Sequence, residues 1–583
     1  MTDTTHHVYE FDGFRLDTRR RELMRGGKPV ALFPRCFEAL LLLIEHRGEL
    51  LDKDFLLHAL WPEAVVEENS LAKVISDVRR VLGAGARDAG CITTVSRRGY
   101  RFTAEVTLRC EPPRETPIQT PREVRSLAVL PFEFTNPLPG DEFLKLGLAD
   151  ALITRLGSLR HTPLRPTSAI ARFASQPAAP ADAARQLAVD AVIAGSLRRA
   201  GDKVRVTVQL IAAAADVVLW AEKFDADARD ALELEDSLAL RVADALTLAL
   251  TRGEAPAAPR RYTNDPIAYD HYLRGRYLWS RRTRESLLLA VQSFERAIAI
   301  DPRYALAYAS LGDCWIHLGL RAAVSQSLRP REAMPRARVA AEKALAIDDS
   351  LAAAHATLGQ VLFIYEWRRA DGMRELQRAL ELEPNHLNAN HWYAMSLAGL
   401  GRYDEALTQI HRALEIDPLS IMVRANIGFI LYRAGRYDDA VAHLERTVQL
   451  EPGAVMSRYR LALALEARGS YEAALAEFAA MQPSEADPLG FTGMARTLAL
   501  AGQTDEARRI LAVLEKIALR EYVPAALLAE AWVALGEHDR AFAALDRAIE
   551  ERTSVVMWLA LDRHWDPLRQ DPRFAPLLRR LGL

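Results

Sequence analysis

From Pro384 onward the chain repeats itself every 34 residues, and few folds tolerate that. Pro384, Pro418 and Pro452 each close a run of one form (ALELEP, ALEIDP, TVQLEP), and Gly401-Arg402-Tyr403, Gly435-Arg436-Tyr437 and Gly469-Ser470-Tyr471 keep the same spacing. Gly502 and Gly536 continue the series, with a single residue missing once. Small residues recur where two helices must approach closely: Ala406, Ala440, Ala474, Ala507 and Ala541 in the second helical segment, Gly428 and Ala462 in the first. A two-helix unit cannot bury its apolar face alone, whereas stacked units share a continuous core, so the period dictates an α-solenoid. An earlier copy ends at Asp301-Pro302, and a longer one follows with about 14 extra residues near Leu318–Pro330. About eight units are expected over residues 265–553, with residues 554–583 capping the last apolar face.

At 583 residues the chain is too long for one core, and three or four domains are expected. Half of the residues are apolar, 26% are charged and the net charge is −2, a balance that excludes fibrous and disordered classes. Cys36, Cys91, Cys110 and Cys314 show neither a CxxC nor a His-Cys spacing, so reduced cysteines are expected in place of disulfides or zinc ligands. The opening MTDTTHHVYEFDG holds no apolar leader core, and no run of about 18 uncharged apolar residues follows. A cytoplasmic protein with no membrane span and no cofactor is expected.

Residues 67–102 carry the chemistry. EENSLAKVISDVRRVLG places Leu71, Ile75, Val78 and Leu82 at i, i+4, i+7 and i+11, which makes one apolar helix face. At about 100° per residue, Asn69, Lys73, Ser76 and Arg80 project from the opposite side. Arg79 joins them as a fifth DNA-binding candidate. CITTVSRRGYRF reads as a hairpin with Arg97, Arg98 and Arg101 around a turn at Gly99, which is expected to supply a positive φ. Seven basic residues against two acidic ones from Asn69 to Arg101 give a local charge of +5. Such a helix suits the major groove of double-stranded DNA, and the hairpin suits phosphates or the minor groove. A solvated helix face beside an ordinary charged hairpin is the simpler alternative, and the order of elements around the cluster argues against it.

Ahead of this pair, YEFDGFRLD and ELMRGGKPVAL read as short strands. PRCFEALLLLIEHRG reads as a helix closed by Gly48, and DKDFLLHALWPE as a second one capped by Asp52 and stopped at Pro62. Strands, three helices and a hairpin make a winged helix-turn-helix. Residues 8–105 resemble the OmpR/PhoB class of DNA-binding domains, in particular those of CadC/ToxR-type one-component regulators. The family's ISxLRR third helix stands here as Ile75-Ser76-Asp77-Val78-Arg79-Arg80, and its RGYRF wing lies within Thr94–Phe102. Asp77 departs from the family's basic or neutral residue, which weakens the case for a base contact there. The resemblance implies promoter DNA as the partner, a homodimer on that DNA, and a core that includes Trp61, Leu71, Ile75, Val78 and Tyr100.

Residues 106–124, with prolines at 112, 113, 117 and 121, read as a stiff tether. Many relatives place a membrane span at this position. Residues 125–250 then read as an α/β domain: a strand SLAVLPFEF, two helices, three strands from AVIAG to EKFD, and a closing helix ELEDSLALRVADALTLAL. Ser126–Phe132, Gly195–Arg199 and Leu219–Asp225 resemble the TolB-like domain that precedes repeats in CadC-like regulators and class III adenylate cyclases. No catalytic role comes with that resemblance. After a linker at 251–264, the 34-residue unit resembles the tetratricopeptide repeat, which implies a concave surface for a protein or peptide, RNA polymerase among the candidates. Asn390, Tyr393, Asn426 and Tyr459 of the first helices are the residues expected to line it.

No enzymatic constellation is present. GAGARDAG at 83–90 follows a helix and precedes a strand, the reverse of a dinucleotide site. P-loop, HExxH, GxSxG and kinase motifs are missing, and Asp54 suits a helix N-terminus better than a phosphorylation site. The sequence thus predicts a multidomain, mainly α chain: winged helix, α/β domain, α-solenoid. The expected function is a cytoplasmic DNA-binding transcription regulator whose rear senses or recruits a partner. The alternative is a repeat scaffold whose basic module binds nucleic acid weakly.

Overall fold

The computed structural model describes residues 8–18, 22–26, 28–30, 34–60, 68–82, 91–95, 98–109, 124, 126–135, 142–156, 163–200, 203–213, 217–227, 237–239, 241–242, 262–320, 328–484, 488–520 and 522–583. The chain divides into two compact units, Met1–Thr120 and Pro121–Leu583.

In the first unit β1 (Val8–Phe11), β2 (Phe14–Asp17), β3 (Glu22–Arg25) and β4 (Lys28–Val30) form an antiparallel meander. Helix α1 (Pro34–Glu45), the two-residue β5 (Leu51–Asp52) and α2 (Lys53–Leu60) follow. Next come α3 (Glu68–Val81), the hairpin β6 (Ile92–Val95) and β7 (Gly99–Phe102), and β8 (Thr107–Arg109). The Phe55 N–H donates to the Asp52 carboxylate at 2.7 Å, capping α2. Gly48, at φ +84°, turns the chain after α1. Phe11, Leu40, Ile44, Leu56, Leu71, Ile75, Val78, Tyr100 and Phe102 share one buried core. Trp61, Pro62 and the 83–90 turn lie outside the described residues. The unit runs past residue 105, because β8 pairs antiparallel with β1 and sets Arg109 opposite Val8.

This closed core predicts that residues 1–110 fold alone. The fragment should give a helical circular-dichroism spectrum and one cooperative melt; a spectrum without structure would mean that later residues complete the core.

In the second unit β9 (Leu127–Val129) and β10 (Glu133–Thr135) replace the single strand expected at SLAVLPFEF. Both pair in parallel with one neighbour, β11 (Ala191–Ala200). The break between them is filled by Phe132, and Gly195 stands opposite: a Cβ there would lie 2.4 Å from the Phe132 ring. β12 (Lys203–Ala212) and β13 (Val217–Asp227) extend the sheet antiparallel. Helices α4 (Glu142–Leu156), α5 (Thr167–Ile170), α6 (Arg172–Ser175) and α7 (Pro180–Leu187) accompany it. The closing helix expected at ELEDSLALRVADALTLAL falls mostly outside the described residues.

Eight helical pairs follow among the described residues. The first four are α8 (Pro266–Ser280) with α9 (Arg284–Ile300), α10 (Ala305–Leu320) with α11 (Pro330–Ile347), α12 (Ala352–Ile364) with α13 (Arg369–Leu382), and α14 (Leu387–Gly399) with α15 (Tyr403–Ile416). The others are α16 (Ile421–Arg433) with α17 (Tyr437–Leu450), α18 (Val455–Ala467) with α19 (Tyr471–Ala480), α20 (Leu489–Leu500) with α21 (Thr504–Ala518), and α22 (Ala525–Ala534) with α23 (His538–Glu551). Gly401, Gly435, Gly469, Gly502 and Gly536 take φ from +73° to +86° at the turn inside each pair, which explains their period. At Gly428 a Cβ would meet Leu444 at 2.3 Å, so the two helices pack closer there than any side chain permits.

The α/β domain and the repeats are one body. Arg276 of α8 clamps Asp150 of α4 through two bonds of 2.7 Å, and Arg165 donates to the Ile416 carbonyl at 3.1 Å. Ser168 donates to Asp417 at 2.7 Å. The array also closes on itself, since Arg552, just past α23, donates to the Tyr365 carbonyl at 2.9 Å.

Candidate functional site

On α3 the pattern of burial follows the helical projection. Leu71, Ile75 and Val78 are buried in the core, whereas Lys73, Ser76 and Arg80 are exposed. Arg80 is paired with Asp77 one turn back, which holds its guanidinium along the helix surface. Asn69 lies in the first turn of α3, and its side chain is outside the described residues, as is all of Arg97. Arg98 and Arg101 are exposed on the hairpin, so the described wing arginines and the polar face of α3 belong to one small domain.

Arg79 has a different post. It is half-buried, its Nε and Nη2 donate to the Ile92 carbonyl at 3.2 and 2.8 Å, and Nη2 also donates to Thr94 Oγ1 at 2.7 Å. Its guanidinium lies 5.9 Å from the centre of the Tyr100 ring. Those bonds tie α3 to β6, so Arg79 fixes the angle between helix and wing. Helical spacing alone gave no sign of this, because position 79 borders the buried face.

Gly99 corrects another expectation. Its φ is not among the positive ones; instead β5 runs so close that a Cβ would stand 1.9 Å from the Leu51 carbonyl oxygen. Glycine is required there by close approach, and the strand pair Leu51–Tyr100 and Asp52–Gly99 depends on it.

Of the four residues expected to line the groove, three are buried. Asn390 is fully buried, donates to the Pro384 and His386 carbonyls at 2.9 Å each and accepts from Gln409 at 2.6 Å. Asn426 is buried against His391, and Tyr459 is buried edge-on to Phe478. Tyr393 is half-buried and accepts from Gln377 at 3.0 Å. The cause is local: Asn390 and Tyr459 turn toward the second helix of their own pair, α15 and α19, and Asn426 turns toward His391 of the preceding first helix.

The C-terminal tail fills what remains. Its helical turns Ser554–Trp558 and Arg563–Leu568, then α24 (Phe574–Arg580), cover the last pair as expected, but the tail also runs back along the inner face. Trp558 meets Phe429 of α16 edge-on at 5.4 Å, Asp562 pairs with Arg433, and His564 lies 3.3 Å from Glu466 of α18. At its end Arg369 of α13 donates to the carbonyls of Leu581 and Gly582 at 2.8 and 3.0 Å. A cavity of about 600 Å³ is left between tail and helices, lined by Tyr432, Arg433, Glu466, Arg496, Glu530 and Asp562 among others. Glu530, Asp562 and His564 bring metal-ligating atoms within 4.8 Å of one another. Arg496 and Arg433 already neutralise the two carboxylates, so the cluster is an internal ion network and not a built metal site.

Comparison with known proteins bears on the first unit directly. Residues 27–102 match the family described as transcriptional regulatory protein, C terminal, and residues 123–241 match the second domain of HilA/YgeH-like transcriptional regulators. The N-terminal unit is an OmpR/PhoB-type winged-helix domain. Residues 428–490 match a tetratricopeptide repeat and residues 375–447 match anaphase-promoting complex subunit 3. Transcriptional regulator HilA of Salmonella typhimurium is 32% identical over 133 residues, 23% of either chain. Transcriptional activator CadC of Escherichia coli is 30% identical over 86 residues, 15% of this chain and 17% of CadC. A putative adenylate cyclase 3 of Rhizobium meliloti is 32% identical over 206 residues, 34% of this chain and 35% of the cyclase. The chain thus spans about a third or less of the length of these relatives. Among the described residues no helix is long and apolar enough to cross a membrane.

Proposed function

We propose that this chain is a non-enzymatic transcription regulator that works in the cytoplasm. The exposed Lys73, Ser76 and Arg80 enter the major groove of promoter DNA, while Arg98 and Arg101 of the wing take phosphates. The observation that carries this reading is the pairing of a polar, basic face on α3 with its fully buried opposite face, beside an arginine-bearing hairpin, in a domain that matches regulatory proteins. Arg79 positions the wing and makes no base contact of its own. The rear unit receives the signal through its outer surfaces and the remaining cavity, because the inner face of the repeats is filled. A homodimer on DNA and contact with RNA polymerase belong to the same proposal. Among the described residues the scaffold alternative has no open peptide groove in its favour.

Gel shifts against genomic promoter fragments test this reading. Specific binding should exceed random-DNA binding by at least about 10³, and Lys73→Ala or Arg80→Ala should each cost about 1–3 kcal/mol on the cognate site. Arg98→Ala should instead weaken all sequences alike and flatten the salt dependence by about one unit. Equal affinity for promoter and random DNA would favour the scaffold.

A further inference from the structure

Arg460 is a half-buried cation with no carboxylate to answer it. It stands on the first helix of its repeat, 34 residues after Asn426 and 68 after Trp392. Among the described residues its guanidinium has no ion pair and no hydrogen bond, and its buried Nη1 is without a partner. The Phe429 ring lies 5.1 Å from its guanidinium carbon. Arg433 approaches the same ring at 4.7 Å; it pairs with Asp562 but leaves its buried Nε unused. The buried Asn426 Oδ1 is also unused. Burial and Arg433 push the Arg460 guanidinium down to about 10. Burial, Arg460 and Arg282 push His391 down to about 4, so that ring is neutral and supplies no charge near neutral pH.

Two guanidiniums against one carboxylate leave a surplus of one positive charge around Phe429. A half-buried charge without a counter-ion is costly, and each unsatisfied buried donor, here Arg460 Nη1 and Arg433 Nε, calls for a partner. We propose that the inner face of the array holds a small oxyanion, a carboxylate or a phosphate monoester, on Arg460 and Arg433. The unused Asn426 Oδ1 accepts from a donor on the ligand, which selects an anion with a neighbouring hydroxyl. Trp558 packs on Phe429 from the tail side, so the site admits a small molecule and not a protein segment. The site does not depend on the DNA-binding role.

The full chain is titrated at constant ionic strength with inorganic phosphate and, separately, with malate, following tryptophan fluorescence and thermal midpoint. Phosphate strengthens burial in any protein, so the comparison between variants decides. A saturable response to one of the two anions is expected, weakened at least about tenfold in Arg460→Gln and less in Arg460→Lys, which keeps the charge but not the planar fork. Without added anion Arg460→Gln should melt no lower than the parent, because it removes an uncompensated charge. Asn426→Asp, which brings a carboxylate to the site, should raise the anion-free midpoint and abolish the response. Responses that do not saturate, or that match in parent and Arg460→Gln, overturn the proposal. So does an Arg460→Gln protein that melts lower by the same amount with and without anion, since that marks a packing role alone.

Discussion

Arg496→Ala is expected to destabilise the rear unit by about 3–5 kcal/mol. The guanidinium is 2% exposed and lies between two buried carboxylates: Nε reaches Glu466 at 3.0 and 3.2 Å, and Nη1 pairs with Glu530. Removing it leaves Glu530 buried without its paired cation and Glu466 with His564 alone, and the cost is theirs. The control is Arg496→Met combined with Glu466→Gln and Glu530→Gln, which removes charge from both sides and should recover most of the loss. Urea midpoints read both. If Arg496→Ala unfolds at the parent's midpoint, water reaches the carboxylates and the network is not part of the core.

The same network sets a pH window. Burial favours a protonated Glu466, yet Arg496 and His564 outweigh it and hold the carboxyl at about 2. Its contribution is present above its ordinary value of 4.5 and is lost as pH falls toward 2. Burial and Arg496 oppose the charge on His564, and Asp562 and Glu466 prevail, raising it to about 9. That contribution is complete below the ordinary 6.5 and disappears as pH rises through 9. The rear unit should therefore be most stable between these limits, and His564→Gln should remove the alkaline decline.

The period of 34 made the solenoid legible because one helical pair needs its prolines, glycines and alanines at fixed places. The winged helix was legible for a similar reason, since α3 must bury Leu71, Ile75 and Val78 and so turns its other face outward. Burial inside the array was not legible. A polar residue on a first helix reads alike whether it lines an open groove or turns toward the helix it is paired with, and only the packing of that pair decides which. Asn390 and Asn426 were misread on that account, and changing them to alanine now tests stability before it tests partner binding. Gly99 was ambiguous because a glycine in a turn satisfies a positive φ and a close approach equally well. Arg79 and the tail carry no period at all.

Trp565→Ala is expected to destabilise the rear unit by about 3–5 kcal/mol. Trp565 is 1% exposed and packs in the core that also holds Trp532, Leu545, Leu559, Leu568 and Leu577, so the tail is built in and not laid on. DNA affinity should stay unchanged, because the core around Leu71 and Tyr100 shares no residue with this one. The consequence for function is specific. A ligand that enters the inner face by expelling the tail must replace the burial of Trp558, Leu559, Trp565 and Leu568, which few peptides offer; one that enters beside the tail has only to fit the space between tail and helices. Urea unfolding of the alanine variant separates these routes. An unchanged midpoint would mean that the tail detaches at little cost, and the inner face would then stand open to a protein partner after all.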